Sequence, residues 1–207
     1  HATKDGILVA FHDDRLDRVT DHAGKIADYT WAELKSVRMA NGAQIPLLED
    51  LMTAWPHVHL NIDPKADAAA ERLPELIRRT RFGLDRLCVG SFSDRRLRRL
   101  REALGPELCT SMGPGNVLRL RLRSWGLPAF SRYAAQCCQV PVADRGIPVA
   151  DRRFIDAAHR LGCKVHVWTI NEASQMHRLL DLGVDGLITD RPTLLKQVLE
   201  SRGEWGV

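Results

Sequence analysis

The sequence lacks long apolar runs and a glycine-rich phosphate loop, and both absences narrow the classes of protein it can represent. No stretch of its 207 residues approaches the roughly 18 consecutive apolar residues of a membrane-spanning helix, so we expect no transmembrane segment. No glycine-rich turn of the dinucleotide-binding type follows any strand-like run, which argues against a doubly wound nucleotide-binding sheet. We therefore expect a globular protein of another kind.

The sequence contains only five cysteines, an odd number, at positions 88, 109, 137, 138 and 163. Most of them lie inside apolar runs, and no pair has the spacing of zinc ligands. Buried thiols in a reducing compartment explain this pattern better than a disulfide framework, so it favours the cytoplasm. The chain starts at His1, directly before a turn-like TKDG. We therefore expect an N-terminal segment to precede it, and the sequence leaves open whether that segment contains a signal peptide.

Aromatic residues are also few, at 6%, and they do not alternate with the arginines that give the chain its net charge of +4. A basic face without interleaved aromatics is not a base-stacking platform, so we expect no nucleic-acid partner. Peripheral contact with a membrane and the oligomeric state stay open. In SDRRLRRLREAL (93–104), Leu97 and Leu100 recur at helical spacing among arginines, which predicts an amphipathic surface helix.

Strand-like and helix-like segments alternate along the chain. The predicted strands are VHLNID (58–63), RLCVGSF (86–92), ELCTSM (107–112), CCQVPV (137–142), KVHVWTI (164–170) and DGLITD (185–190). The predicted helices are DAAAERLPELIRRT (67–80), SDRRLRRLREAL (93–104), DRRFIDAAHRLG (151–162) and EASQMHRLLDLG (172–183), the last two ending in a glycine suited to a C-cap. This alternation predicts a parallel sheet with right-handed crossovers.

The number of units predicts the fold class. A complete (β/α)8 TIM barrel takes about 250 residues, whereas this chain shows six units after an opening hairpin that contains the apolar run ILVAF (7–11). We therefore expect one barrel domain spanning residues 1–207 that lacks its first two strands. A doubly wound open sheet is the structural alternative.

Polar and aromatic residues stand where several strands end, and in a barrel this end carries the active site. His12 follows ILVAF, Asp63 and Lys65 follow the next strand in NIDPK, and Phe92 and Trp168 end two later strands. A carboxylate beside an ammonium suits a divalent cation next to a phosphate. Taken singly, however, each residue has an ordinary explanation: a surface histidine, an ion pair, or a core aromatic.

Several segments, in collinear order, resemble the glycerophosphodiester phosphodiesterase family. They are TKDGILVAFHD, RLDRVT, GKIADYTWAELKSV, IPLLEDLM, NIDPK, GSF, VHVWTIN and GVDGLITDRP. Together they cover nearly the whole chain. Each motif alone is weak, but this many in one order is specific.

The resemblance implies a barrel of the phosphodiesterase type that hydrolyses glycerophosphodiesters to sn-glycerol 3-phosphate and an alcohol, in lipid metabolism, with a divalent cation (Ca²⁺ or Mg²⁺). It implies that His12 is a catalytic acid or base, which a histidine can be near neutral pH. It implies that Asp63 binds the metal and that Lys65 lies near the phosphate. Phe92 and Trp168 match aromatic positions near the substrate pocket.

The sequence departs from the family pattern at three points. It contains no His-Arg-Gly motif for the first catalytic histidine and no Glu-x-Asp ahead of TKDG, and Asp63 stands where most relatives have glutamate. We therefore expect activity to belong to the full-length protein, and the chain from His1 to be inactive and marginally folded by itself. Two other functions stay open: a related barrel enzyme such as a phospholipase, and a non-catalytic barrel that binds phosphoesters or a partner.

Overall fold

A computed structural model describes residues 1–128 and 134–206, which form two compact units. The first unit is His1–Cys109 and the second is Thr110–Val207. Among the described residues, no helix is both long and apolar enough to cross a bilayer. No disulfide joins any of the five cysteines, and three of them, at positions 137, 138 and 163, are buried.

The first unit contains a parallel pair of strands covered by helices. Its elements are α1 (Trp31–Leu34), α2 (Leu48–Ala54), β1 (Leu60–Ile62), α3 (Asp67–Thr80), β2 (Leu87–Val89) and α4 (Asp94–Leu104), with short 3-10 turns at Ile26–Asp28 and Leu84–Arg86. β3 (Cys109–Thr110) begins with the last residue of this unit and ends with the first residue of the second. β1 pairs with β2 in parallel, so that Ile62 lies opposite Val89, and the order of the sheet is β1-β2-β3. Leu73, Leu97 and Leu100 are almost fully buried in the core between the helices and the sheet.

The second unit repeats the parallel arrangement. Its elements are α5 (Pro114–Ser124), β4 (Cys137–Pro141), β5 (Ala143–Asp144), β6 (Ile147–Pro148), α6 (Arg152–His159), β7 (Lys164–Trp168), α7 (Ala173–Asp181), β8 (Gly186–Leu187) and α8 (Pro192–Ser201). β4, β7 and β8 form a parallel sheet in that order, and β5 and β6 form a small antiparallel hairpin. Phe154, Val165 and Val167 are fully buried at its centre.

The described elements follow the predicted alternation closely. Each of the six predicted strands contains a strand, and α3 has the predicted bounds. Gly162 and Gly183, just beyond α6 and α7, have φ of +72° and +88°, the left-handed conformation expected of a glycine after a helix. The hairpin of β5 and β6 was not predicted.

The expectation of a strand at residues 7–11 is wrong. This segment makes only isolated antiparallel bridges, because Leu8 pairs with Ala2 and the next residue, Val9, pairs with a different segment at Leu47. The bridge to Ala2 closes the TKDG turn, in which Gly6 has a φ of +82°. The expected opening hairpin is therefore a single closed turn.

Candidate active site

The predicted polar residues of the first unit lie at the carboxyl edge of its sheet. Asp63 follows β1 directly, and Phe92 follows β2 after Gly90 and Ser91. Because β1 and β2 are parallel, both strands end at the same edge. Lys65 extends from the β1 end, so the sheet itself brings these three side chains to one side of the unit.

A pocket of about 490 Å³ lies within the first unit and is strongly charged. It is lined by His1, His12, Asp13, Asp14, Arg15, Asp17, Arg18 and Lys65. His12 and Lys65, which are more than fifty positions apart in the sequence, therefore face the same space. A pocket rich in both acids and bases suits a small polar ligand rather than an apolar one.

His12 is held by its neighbour in the chain. Its Nδ1 lies 2.8 Å from Oδ1 of Asp13, and Arg18 donates two hydrogen bonds to the same carboxylate, at 2.6 and 3.0 Å. The hydrogen bonds from Arg18, and to a smaller extent the contact with His12, hold the pKa of the Asp13 carboxyl well below its usual range. Asp13 is therefore ionised and only accepts hydrogen bonds. The proton of a neutral His12 ring therefore stays on Nδ1, and Nε2 has no hydrogen-bond partner among the described residues.

One apolar residue fixes the loop that carries this charge cluster. Leu16 is fully buried between Arg15 and Asp17, and its N–H donates to the carbonyl of Gly24 at 2.9 Å. Arg15 is neutralised by Asp17 through contacts of 3.1 and 3.2 Å. The buried leucine thus anchors a chain segment whose other side chains face solvent and the pocket.

Asp63, Lys65 and Phe92 form a second group. The ammonium of Lys65 lies 2.7 Å from Oδ2 of Asp63 and 5.7 Å from the ring centroid of Phe92. Oδ1 of Asp63 and Oγ of Ser91 are buried, yet neither has a hydrogen-bond partner within the described part of the chain. Buried oxygens without a partner are costly in an isolated fold, which is why they often mark a ligand or ion position.

Trp168 lies in the second unit, at the end of β7. The segments after β7 and β8 are joined through Asn171, whose Oδ1 accepts from the Thr189 hydroxyl at 3.0 Å and from the Asp190 N–H at 2.9 Å. Asn171 Nδ2 donates to the Asp190 carboxylate at 3.0 Å. This network fixes the carboxyl edge of the second sheet, and the predicted role of Trp168 in the pocket stays a prediction.

Sequence reasoning assigned roles to His12 and Lys65 but none to Asp13 or Arg18. The available signal was the His-Asp pair followed by an arginine five residues after the aspartate, which allows the carboxylate to bridge imidazole and guanidinium. Asp21 and His22 form a second such pair, with His22 Nδ1 at 2.8 Å from Asp21, so adjacency alone does not identify a functional histidine. The pocket distinguishes the two, because it is lined by His12 and not by His22.

Comparisons with known proteins agree on one family. The model of the glycerophosphoryl diester phosphodiesterase family matches residues 1–194. A Mycobacterium tuberculosis protein named "Probable glycerophosphodiester phosphodiesterase 2" is 39% identical over 208 residues, which cover 99% of this chain and 78% of the relative.

Solved structures are similar as well. A glycerophosphodiester phosphodiesterase from Parabacteroides distasonis has a TM-score of 0.77 at 22% identity. The aligned region covers 98% of this chain and 82% of the Parabacteroides distasonis chain. An Oleispira antarctica phosphodiesterase, solved with its product sn-glycerol-3-phosphate, has a TM-score of 0.75 at 23% identity, with coverages of 96% and 82%. These likenesses confirm the predicted fold class, the (β/α)8 barrel of the phosphodiesterase type.

Proposed function

This chain belongs to the glycerophosphoryl diester phosphodiesterase family, and from that membership we propose that the charged pocket of its first unit is where it hydrolyses glycerophosphodiesters. The enzyme class is a phosphoric diester hydrolase. The products are sn-glycerol 3-phosphate and an alcohol, as water replaces the alcohol on phosphorus. The observation that carries the proposal is His12, oriented by Asp13 in the same pocket as Lys65.

His12 moves a proton in this proposal. With Nδ1–H donated to Asp13, Nε2 is the atom that exchanges a proton with the attacking water or the departing alcohol oxygen. The side chain of His12 is 79% exposed, so a substrate in the pocket can approach Nε2 directly. Asp13 is a positioning residue, because it fixes which ring nitrogen carries the proton.

Lys65 supplies positive charge to the phosphate. Its ammonium has three donors and uses one on Asp63, which leaves others for a phosphate oxygen. Phe92 gives the ammonium an aromatic neighbour and limits its directions of movement. We assign Phe92 to the wall that contacts the substrate, and the substrate contact expected of Trp168 stays a prediction.

The family is generally dependent on a divalent metal ion. Asp63 fits as a ligand, because its Oδ1 is a buried carboxylate oxygen without a hydrogen-bond partner among the described residues. Ca²⁺ and Mg²⁺ both bind such oxygens, and Mg²⁺ accepts one or two carboxylates together with water and phosphate oxygens. The ion would withdraw charge from a phosphate oxygen and so favour attack on phosphorus.

The buried cysteines support a cytoplasmic location. Cys137, Cys138 and Cys163 are buried without a disulfide, which is typical of proteins made in a reducing compartment. Burial also raises the pKa of the Cys138 thiol to about 12, so it is unreactive. From the family match we propose glycerophosphodiesters, which are released from membrane lipids in lipid metabolism, as the substrates.

The test is release of sn-glycerol 3-phosphate from glycerophosphocholine by the protein expressed from its complete reading frame. We expect turnover that chelation abolishes and that added Ca²⁺ or Mg²⁺ restores, and comparison of the two ions identifies the metal. Lysophosphatidylcholine serves as the parallel substrate. Release of choline from it with no action on glycerophosphocholine would indicate a phospholipase, whereas calorimetric binding of glycerophosphocholine without any product would indicate a non-catalytic barrel.

A further inference from the structure

Helix α5 exposes an apolar stripe that the proposed reaction does not use. Leu118 is 59% exposed, Leu122 is partly exposed, and Trp125, the C-cap residue of the helix, is 43% exposed. The three positions are spaced four and three residues apart and therefore lie on one face of the helix. Leu120, by contrast, is fully buried, and Val117 packs against the core of the second unit, so the stripe faces away from that core.

The stripe is bordered by positive charge. Arg119 and Arg123 are exposed beside it, and residues 113–128 contain no aspartate or glutamate. Neither arginine has an acidic partner among the described residues. The third arginine of the helix, Arg121, is different, because it is buried and makes two hydrogen bonds to Asp151, at 2.8 and 2.6 Å.

Arg121 also holds the exposed tryptophan in place. Its guanidinium carbon lies 4.4 Å from the ring centroid of Trp125, and the ion pair with Asp151 fixes the guanidinium in turn. The indole is therefore presented on a fixed support rather than on a freely rotating side chain. An amphipathic tryptophan beside two leucines, with arginines at the border, is the composition of a helix that lies in a membrane interface.

We propose that α5 docks this protein on an anionic lipid surface, with Leu118, Leu122 and Trp125 in the interface and with Arg119 and Arg123 on the lipid headgroups. A second copy of the chain fits less well. In a twofold contact the stripe would meet itself and bring the same arginines together, and three side chains offer far less than the roughly 800 Å² per partner of a stable dimer.

The test is flotation with unilamellar vesicles, using the protein expressed from its complete reading frame. We expect binding to vesicles of equal parts phosphatidylcholine and phosphatidylglycerol, weaker binding at high salt, and little binding to phosphatidylcholine alone. Changing both Arg119 and Arg123 to Gln should lower the partition coefficient about 30-fold, which corresponds to about 1 kcal/mol per arginine. Leu118→Glu should lower it as well, with an unchanged melting temperature because the residue is exposed.

Trp55→Ala is the matched control, since Trp55 is more exposed than Trp125, at 55%, and lies outside α5. Its removal should leave vesicle binding unchanged. The proposal is overturned if the protein does not bind anionic vesicles, if it binds pure phosphatidylcholine equally well, or if Trp55→Ala weakens binding as much as Leu118→Glu. It is also overturned if sedimentation velocity shows a dimer that Leu118→Glu dissociates. These readouts are independent of hydrolysis.

Discussion

Asp13 is the residue that converts an exposed histidine into an oriented one. Its carboxylate accepts from His12 Nδ1 and from Arg18 together, so the imidazole and the guanidinium share one anchor. Asp13→Asn removes the charge of the side chain and keeps its shape. The amide can then donate to Nδ1 of His12, which favours the tautomer with the proton on Nε2. The orientation would then be wrong for proton transfer through Nε2.

We expect Asp13→Asn to lower kcat about 10- to 100-fold with little change in KM, the usual size of effect for a residue that orients a functional group. Asp21→Asn is the control, because it removes the same contact from His22 at the same distance of 2.8 Å. Steady-state kinetics with glycerophosphocholine over a range of pH provide the measurement. Equal losses in the two variants, or a loss in KM alone, would mean that Asp13 does not orient His12.

Asp63 is the second single residue with a testable role. Asp63→Asn keeps one oxygen and removes the charge, so the metal concentration for half-maximal activity should rise at least about 10-fold. Asp85→Asn is the control: like Asp63 its carboxylate lies near a basic side chain, 3.8 Å from Arg86, but it precedes β2. Titration calorimetry with the metal alone gives a readout besides turnover. Metal affinity that is the same in the wild type and Asp63→Asn would remove Asp63 from the metal site.

For single residues, the sequence predicts which side chains are candidates for the site better than it predicts which contacts they make. Motif resemblance identified His12, Asp63, Lys65, Phe92 and Trp168 as candidates. The strand-end positions also predicted one cavity shared by His12, Asp63 and Lys65. His12 and Lys65 line the pocket, whereas Asp63 is not among its lining residues and contacts Lys65 at 2.7 Å. The bridging role of Asp13 depends on side-chain rotamers, which no spacing rule specifies.

The beginning of α6 joins two elements of the second unit. Asp151 is the N-cap of α6, accepting from the Phe154 N–H at 2.9 Å, and it also binds Arg121 of α5 with both carboxylate oxygens. Asp151→Ala would remove the cap and leave a buried guanidinium without its anion. We expect a loss of about 3 kcal/mol in unfolding free energy, at the lower end for a broken buried pair because Asp151 is a third exposed.

Ser93→Ala is the matched control for that change. Ser93 caps α4 with a 3.4 Å contact to the Arg96 N–H, so its loss removes a cap without breaking an ion pair and should cost about 1 kcal/mol. Urea unfolding measures both variants. If the two lose equal stability, the pairing with Arg121 contributes nothing beyond the cap.

Helices with regular periodicity were predicted nearly to the residue, whereas α5 was not predicted. α3 and α4 have clear helical spacing and appear at or within one residue of their predicted bounds. α5 contains RLRLR, an alternation with the period of a strand, yet it is helical, because burial of Leu120 and pairing of Arg121 select one helical face. The prediction of a strand at residues 7–11 was wrong for the opposite reason. This segment has the composition of a strand, but no neighbouring segment pairs with it continuously.

Over the whole molecule, arginine–carboxylate pairs contribute to the response to acid, and the partly buried pair of Arg121 and Asp151 contributes most because the others are screened by solvent. Hydrogen bonds from Arg18, Arg15, Arg96 and Arg121, respectively, are the largest cause of lowered pKa values at Asp13, Asp17, Asp67 and Asp151. A carboxylate whose folded pKa is depressed binds fewer protons than its unfolded form, so its contribution is fully present above about pH 4 and is lost as the pH falls below that value.

We therefore expect the melting temperature to be nearly constant from about pH 7 to pH 5 and to fall below about pH 4. Asp151→Asn should make the acid decline less steep, because one of the four titrating pairs is gone. Differential scanning calorimetry across this range is the measurement. A melting temperature that stays constant or rises on acidification would show that these pairs do not stabilise the folded state.

The measurement that tests the account most directly is the turnover of glycerophosphocholine by the wild type, His12→Ala and His22→Ala, each made from the complete reading frame. Both histidines are exposed and bonded to an adjacent aspartate, but only His12 lines the pocket. We predict that His12→Ala lowers kcat by about 10² to 10⁴, the usual loss of a general acid or base, while His22→Ala keeps wild-type turnover. Unchanged turnover in His12→Ala, or equal losses in the two variants, would contradict the assignment of the active site.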